Sequence, residues 1–146
     1  MNRVLVTGSS RGIGRAIALR LAADGFAVVA HAARSAEAAG ETADECARLS
    51  GLPRQTPLLF DVSDRAASAA ALEADMAANG PFSGVVVNAG VVADAPFPIL
   101  EGDAWDRVVD TDLGGFYNVL KPVVMPMVSN RIRGRRAACL IFPGRS

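Results

Sequence analysis

The chain of 146 residues has little of what metal sites, disulfide frameworks and nucleic-acid surfaces are built from: two cysteines, one histidine, one tryptophan, one tyrosine and no net charge. Cys46 and Cys139 stand far apart with no C-x-x-C and no histidine cluster beside them, so two reduced thiols are expected, with no zinc ligands and no disulfide. Fifteen basic residues against fifteen acidic ones argue against a nucleic-acid or membrane-surface partner. No charged and then apolar leader opens the chain and no run of 18 apolar residues occurs, so neither export nor a membrane span is read and a cytoplasmic location is expected. Repeats and low-complexity linkers are missing too, which leaves one domain over residues 1–146.

What the chain does have is alanine, glycine and short β-branched runs. It is 51% hydrophobic, with 27 alanines and 14 glycines, an apolar composition that must bury a core to stay in solution. Arg3 to Thr7 reads as a strand, a Gly/Ser cluster follows, and Ile13, Ala16, Ile17, Leu19, Leu21 and Ala22 mark an amphipathic helix. Gly25 ends that helix and Phe26 to Ala30 forms the next strand. The alternation continues with a helix over Ala36–Leu49, a strand at Pro57–Phe60, a helix over Asp64–Ala78 and a strand at Gly84–Val87. A proline-rich loop to Gly102 then leads into one long helix from about Trp105 into the Met125–Met127 region. Strands that are continuous apolar runs, separated by helices, predict a parallel sheet covered on both faces.

Thr7-Gly8-Ser9-Ser10-Arg11-Gly12-Ile13-Gly14 lies between the first strand and the first helix. In that position Gly8 permits a tight turn, Gly12 lets backbone approach a pyrophosphate, and Gly14 allows close packing of helix on sheet, with the phosphates on the helix N-terminus. The expected fold class is therefore α/β, a Rossmann-type doubly wound parallel sheet. At the end of the second strand, where an acid bonds the ribose 2′-hydroxyl of NAD and an arginine suits the 2′-phosphate of NADP, the chain reads His31-Ala32-Ala33-Arg34. With Arg11 in the loop, two guanidiniums favour NADP(H) over NAD(H). His31 has no partner nearby in sequence and reads as a strand-end residue.

TGSSRGIG resembles the cofactor loop of the short-chain dehydrogenase/reductases, and further matches follow in that family's order. Asp61-Val62 resembles the pair that contacts adenine, and Asn88-Ala89-Gly90 resembles the segment beneath the cofactor. Asp110 to Val119, continuing to Met127, looks most like the 3-oxoacyl-acyl-carrier-protein reductase branch. The resemblance implies hydride transfer from NADP(H) to the carbonyl of a 3-oxoacyl thioester, as in fatty acid biosynthesis, on a small-molecule or carrier-protein-bound substrate. It also implies a homo-oligomer assembled through the long helix. The cofactor contacts it implies are Gly8, Ser9, Ser10, Arg11, Gly12, Ile13, Gly14, Arg34, Asp61, Val62, Asn88, Ala89 and Gly90.

The family's proton-transfer groups are a tyrosine, a lysine four residues on, a serine and an asparagine. Here Asp112 holds the asparagine position, and Val87 stands where a second asparagine often precedes N-A-G. Tyr117 and Lys121 have Y-x-x-x-K spacing, but they lie 27 residues past Gly90, on the helix after N-A-G, whereas the catalytic pair belongs to the next helix. Tyr117 is thus expected as an interior or interface aromatic and Lys121 as a surface charge. The serine position falls on Phe142, and the sequence stops at Ser146. No metal is expected.

The charge is unevenly spread. Residues 1–112 carry nine arginines and all fifteen acids, a net −6, while residues 113–146 carry Lys121 and five arginines, a net +6. If Ile141-Phe142 is encoded ATC TTC, dropping the first base restores Ser-Ser, so a single-base shift near Leu140 is expected, with a divergent tail over 134–146. The tail's arginines lack the interleaved aromatics of a nucleic-acid surface. The expectation is a cofactor-binding chain with negligible turnover. The alternatives are a non-enzymatic NADP-binding module or vestigial fragment, and a product that barely folds because a sheet edge and the long helix lie bare.

Overall fold

The computed structural model describes residues 2–132 and 138–141. Chain order is β1 (Arg3–Val6), α1 (Gly12–Ala23), β2 (Ala27–Ala32), α2 (Ala36–Ser50), β3 (Leu58–Leu59), α3 (Arg65–Asn79), β4 (Gly84–Val87), α4 (Gly102–Val108), α5 (Gly115–Ile132) and β5 (Ala138–Ile141). The strands form one parallel sheet in the order β3-β2-β1-β4-β5, with Val4 opposite Val28 and Gly84, and Val87 opposite Ile141. Of the tail expected to diverge over 134–146, with the change of frame near Leu140, residues 134–137 and 142–146, Phe142 included, lie outside the described residues.

Because successive strand residues face opposite sides, β1, β2 and β4 each feed two cores. Leu5, Val29 and Val85 join Leu72 of α3 and Val119, Val123 and Met127 of α5 on one face. Val4, Val6, Val28 and Val86 join Ala18 and Ala22 of α1 and Cys46 of α2 on the other. This is the doubly wound α/β sheet expected from the alternating pattern. Side-chain and glycine caps set helix bounds: Ser35 Oγ accepts the Ala38 N–H, Asp64 Oδ1 accepts the Ala67 N–H, and Gly51 closes α2 at φ +66°.

The expected long helix from Trp105 lies within a helical stretch that runs without a break from Gly102 to Ile132, its α-helical parts α4 and α5 joined by a wider π-type turn over Val109–Gly114. Two tertiary contacts accompany the wider turn. A Cβ on Gly115 would stand 2.8 Å from Val62 Cγ2, so the chain needs glycine there to press against the loop after β3. Asp112 turns its carboxylate to the Val91 N–H at 2.9 Å. Beyond the turn, α5 continues through Pro122 and Pro126, each of which removes one backbone donor, because Val119, Val123 and Met127 repeat every four residues along its buried stripe. No helix among the described residues is long and apolar enough to cross a membrane.

Candidate functional site

Strand order reverses between β1 and β4, the position at which an open α/β sheet leaves a crevice beyond its carboxyl ends. Two polar side chains sew those ends together. Thr7 Oγ1 accepts the N–H groups of Asn88 at 2.9 Å and Ala89 at 3.0 Å. Asn88 Nδ2 returns to the carbonyls of Thr7 at 3.1 Å and Gly8 at 3.3 Å. With both donors spent on carbonyls, the orientation of the buried Asn88 amide is set, and its Oδ1 accepts no hydrogen bond among the described residues.

The glycines of the loop do three different things. Gly8, at φ +63°, lies so close to β4's continuation that a Cβ would meet Ala89 Cα at 2.9 Å. Gly14 is packed both by its own loop and by the residue that follows β4: a Cβ would stand 2.2 Å from the Gly8 carbonyl oxygen and 2.4 Å from Asn88 Nδ2. Gly12, at φ +56°, has nothing within 4 Å of where its Cβ would be, so open space faces the backbone where α1 begins. The first intrahelical bond runs from Arg15 N–H to the Arg11 carbonyl, which leaves the N–H groups of Gly12, Ile13 and Gly14 without helical acceptors. Arg11 provides no side-chain cap and the first turn contains no acid. A positive helix end with free donors, open space and no competing carboxylate fits an anionic group such as a pyrophosphate.

The expected contacts divide by exposure. Arg11, Gly12, Ile13, Arg34, Asp61 and Gly90 are exposed, and Gly8, Ser10 and Ala89 are partly so. Ser9 is turned inward: its N–H donates to the His31 carbonyl at 3.0 Å and its Oγ accepts the His31 N–H at 2.9 Å, so its buried side chain anchors the loop to β2. His31 itself does more than end a strand. Its buried ring accepts the Gly8 N–H at Nδ1, 3.0 Å away, and Nε2 stands 2.9 Å from the Phe60 carbonyl. Burial lowers its pKa to about 4, which keeps the imidazole neutral.

On the far wall, Asp61 accepts both the N–H and the hydroxyl of Ser63, at 2.9 and 2.7 Å, and these bonds, with the nearby Arg34 charge, hold its carboxyl below the usual range. Val62 is buried in the core. Its carbonyl accepts from Asn118 Nδ2 at 2.9 Å, while Asn118 Oδ1 accepts from Arg65 Nε at 3.1 Å. His31, Thr7 and Asn118 were not marked as site residues by the sequence. Their partners are mostly backbone groups, which leave no trace in residue type.

The sequence matches the short-chain dehydrogenase profile over residues 2–136. The chain belongs to that family. It is 50% identical over 132 residues to a 3-oxoacyl-(acyl-carrier-protein) reductase of Aggregatibacter actinomycetemcomitans, covering 90% of this chain and 54% of the relative. It is 39% identical over 127 residues to an acetoacetyl-CoA reductase of Shinella zoogloeoides, covering 84% and 48%. Among solved structures, a gluconate 5-dehydrogenase from Burkholderia cenocepacia in complex with NADP and tartrate superposes with a TM-score of 0.80 at 34% identity, covering 88% of this chain and 49% of that one. An alcohol dehydrogenase from Thermococcus sibiricus complexed with 5-hydroxy-NADP gives 0.86 at 26% identity, covering 97% and 57%. The chain thus spans about half the length of the relatives it matches.

Within this short-chain dehydrogenase, Asp112, Tyr117 and Lys121 lie among the described residues. Asp112 sits in the π-type turn with Oδ1 committed to the Val91 N–H. Tyr117 is half-exposed with the Arg65 guanidinium 5.1 Å from its ring centroid, and Lys121 is exposed one turn on. Tyr117, expected as an interior or interface aromatic, is thus not interior in the single chain, and Lys121 has the surface place expected of it.

Proposed function

We propose that residues 1–146 form the NADP(H)-binding part of a short-chain reductase that acts on 3-oxoacyl thioesters, and that this chain alone binds cofactor without turning substrate over. The observation that carries the cofactor reading is the uncapped start of α1 at Gly12, with free N–H groups and open space at the strand-order reversal. NADP(H) over NAD(H) rests on Arg11 and Arg34, both exposed, with no acid between β2 and Glu37. The substrate class rests on the 50% identity to a 3-oxoacyl reductase. When bound, the nicotinamide supplies the hydride. The chain's own residues hold phosphate through Gly12, Ile13 and Gly14 and set the loop through Thr7, Asn88 and His31.

Inactivity of this chain rests on Asp112 having its carboxylate engaged and on Tyr117 lying against Arg65. Residues that act as one unit cost orders of magnitude in rate when absent. Fluorescence titration with NADPH and NADH, beside a reductase assay on acetoacetyl-CoA, tests both halves of the reading. NADPH binding at least tenfold tighter than NADH, with turnover at background, is the expected result. Failure to bind NADPH removes the cofactor reading, and turnover like that of a complete reductase removes the inactivity. Val124, Met125 and Val128, exposed on α5, support self-association, which sedimentation would register.

A further inference from the structure

The glycine loop and the turn after β3 are separate walls of the crevice, and one side chain touches both. His31 lies in β2, between β1 and β3, with its ring 1% exposed. Nδ1 can accept the Gly8 N–H only while it carries no proton, which puts the proton on Nε2, where it is donated to the Phe60 carbonyl. The two bonds therefore require one tautomer of a neutral ring, and each supports the other. The Phe60 ring, 4.3 Å away at 56°, closes the space on which the imidazole could turn. Two further bonds, Ser9 N–H to the His31 carbonyl and His31 N–H to Ser9 Oγ, bind the same residue to the next step of the loop.

Movement at either end of this bridge reaches the site. The Gly8 carbonyl lies 2.2 Å from where a Gly14 Cβ would be and accepts from Asn88, so the Gly8 peptide determines where α1 can start. On the other side Phe60 is followed directly by Asp61, whose side chain and carbonyl organise Ser63 and Ser68. We infer that His31 is a positioning residue that fixes the distance between the glycine loop and the Asp61–Ser63 turn, so that a single neutral imidazole presets both walls of the dinucleotide crevice. The inference rests on the cofactor reading above only for its consequence in binding. The bridge itself is a property of the free chain.

Three measurements test it. His31 is the only histidine in the chain, so ¹⁵N-histidine labelling reports one imidazole. At neutral pH, Nε2 protonated and Nδ1 bare is expected, and the opposite tautomer or a rapid average of the two overturns the inference without any variant. Hydrogen exchange is then compared between wild type, His31→Leu and His31→Gln. Amides of residues 8–14 and 60–63 should exchange at least tenfold faster in His31→Leu, those of α3 should be unchanged, and His31→Gln, which keeps one acceptor and one donor, should lie between. NADPH affinity should fall at least tenfold in His31→Leu, with partial recovery in His31→Gln. Unchanged exchange in both variants refutes the bridge. Wild type that fails to bind NADPH refutes the cofactor reading and leaves the tautomer and exchange results to decide for or against His31.

Discussion

Arg3 closes on Asp75 at the end of the sheet away from the glycine loop, its Nη2 lying 2.9 and 2.7 Å from the two carboxylate oxygens. The side chains are 4% and 5% exposed. The other two nitrogens are bonded as well: Nε donates to Gln55 Oε1 at 3.0 Å, Nη1 to the Gly80 carbonyl at 2.6 Å, and the guanidinium lies 5.0 Å from the Phe82 ring centroid. One residue thereby ties the start of β1 to the end of α3 and the turn into β4. Removing one member of such a buried pair leaves the other charge without its counter-ion, at a cost of about 3–5 kcal/mol. Arg3→Met and Asp75→Leu should each shift urea unfolding by that amount, and the double variant should lose clearly less than the sum of the two. Additive losses would show that the pair is not coupled.

The loop glycines predict two different failures. Gly14→Ala puts a methyl group into the Gly8 carbonyl, a backbone contact that cannot be relieved by a rotamer, so the fold itself should suffer, by about 2 kcal/mol or more. Gly12→Ala meets nothing in the free protein and carries only the penalty of a positive φ, of order 1 kcal/mol. Its methyl group does enter the space in front of the helix N-terminus. Thermal unfolding of Gly12→Ala should be near wild type while NADPH binding is lost. A Gly12→Ala protein that binds NADPH normally would place the phosphates elsewhere.

Those contrasts also show what was legible before the structure. Gly8, Gly12 and Gly14 mark the strand-to-helix turn, and the expected strand Gly84–Val87 coincides with β4 because it is a continuous apolar run buried on both faces. Helix α2 ended one residue from its expected limit, since Ser35 and Gly51 are capping types. The widening to a π-type turn at Val109–Gly114 leaves no mark in the sequence: the apolar period runs through it, and the contacts that accompany it, with Val62 and Val91, lie far away in the chain. Strand β5 is not among the expected strands, although Ala138–Ile141 is a short apolar run. Ser9 carries a role that its place in the motif does not reveal, since its hydroxyl accepts the backbone N–H of His31 in β2.

Asn118 offers a test of the far wall. Buried to 4% exposure, it donates to the Val62 and Ser63 carbonyls at 2.9 and 3.3 Å and accepts from Arg65. Asn118→Leu leaves the Val62 carbonyl buried without its donor, at about 1–3 kcal/mol. Asn118→Asp keeps the acceptor for Arg65 but sets a carboxylate against two carbonyl oxygens, so it should be at least as damaging in urea unfolding. Recovery of wild-type stability by aspartate would mean that the Arg65 bond, and not the two carbonyl bonds, holds the loop.

The neutral imidazole of His31 gives stability a direction in pH. Free histidine takes up a proton near 6.5, whereas burial holds folded His31 neutral down to about 4, with Asp61 and the Phe60 carbonyl opposing that shift only in part. Between those two values the unfolded chain binds more protons than the folded one, so stability falls as pH falls from 6.5 to 4, and this contribution is flat above 6.5. The interval corresponds to about 3 kcal/mol. Asp61, with its pKa held low by Ser63 and by the Arg34 charge, also gives up stability on acidification, below the ordinary carboxylate range, so the two limbs are separable. Urea unfolding at pH 7, 6, 5 and 4 should show wild type losing most of that stability across the window, while His31→Gln, which has nothing to protonate there, stays nearly level. Parallel curves for the two proteins would assign the acid sensitivity to other groups and leave His31 without its titration.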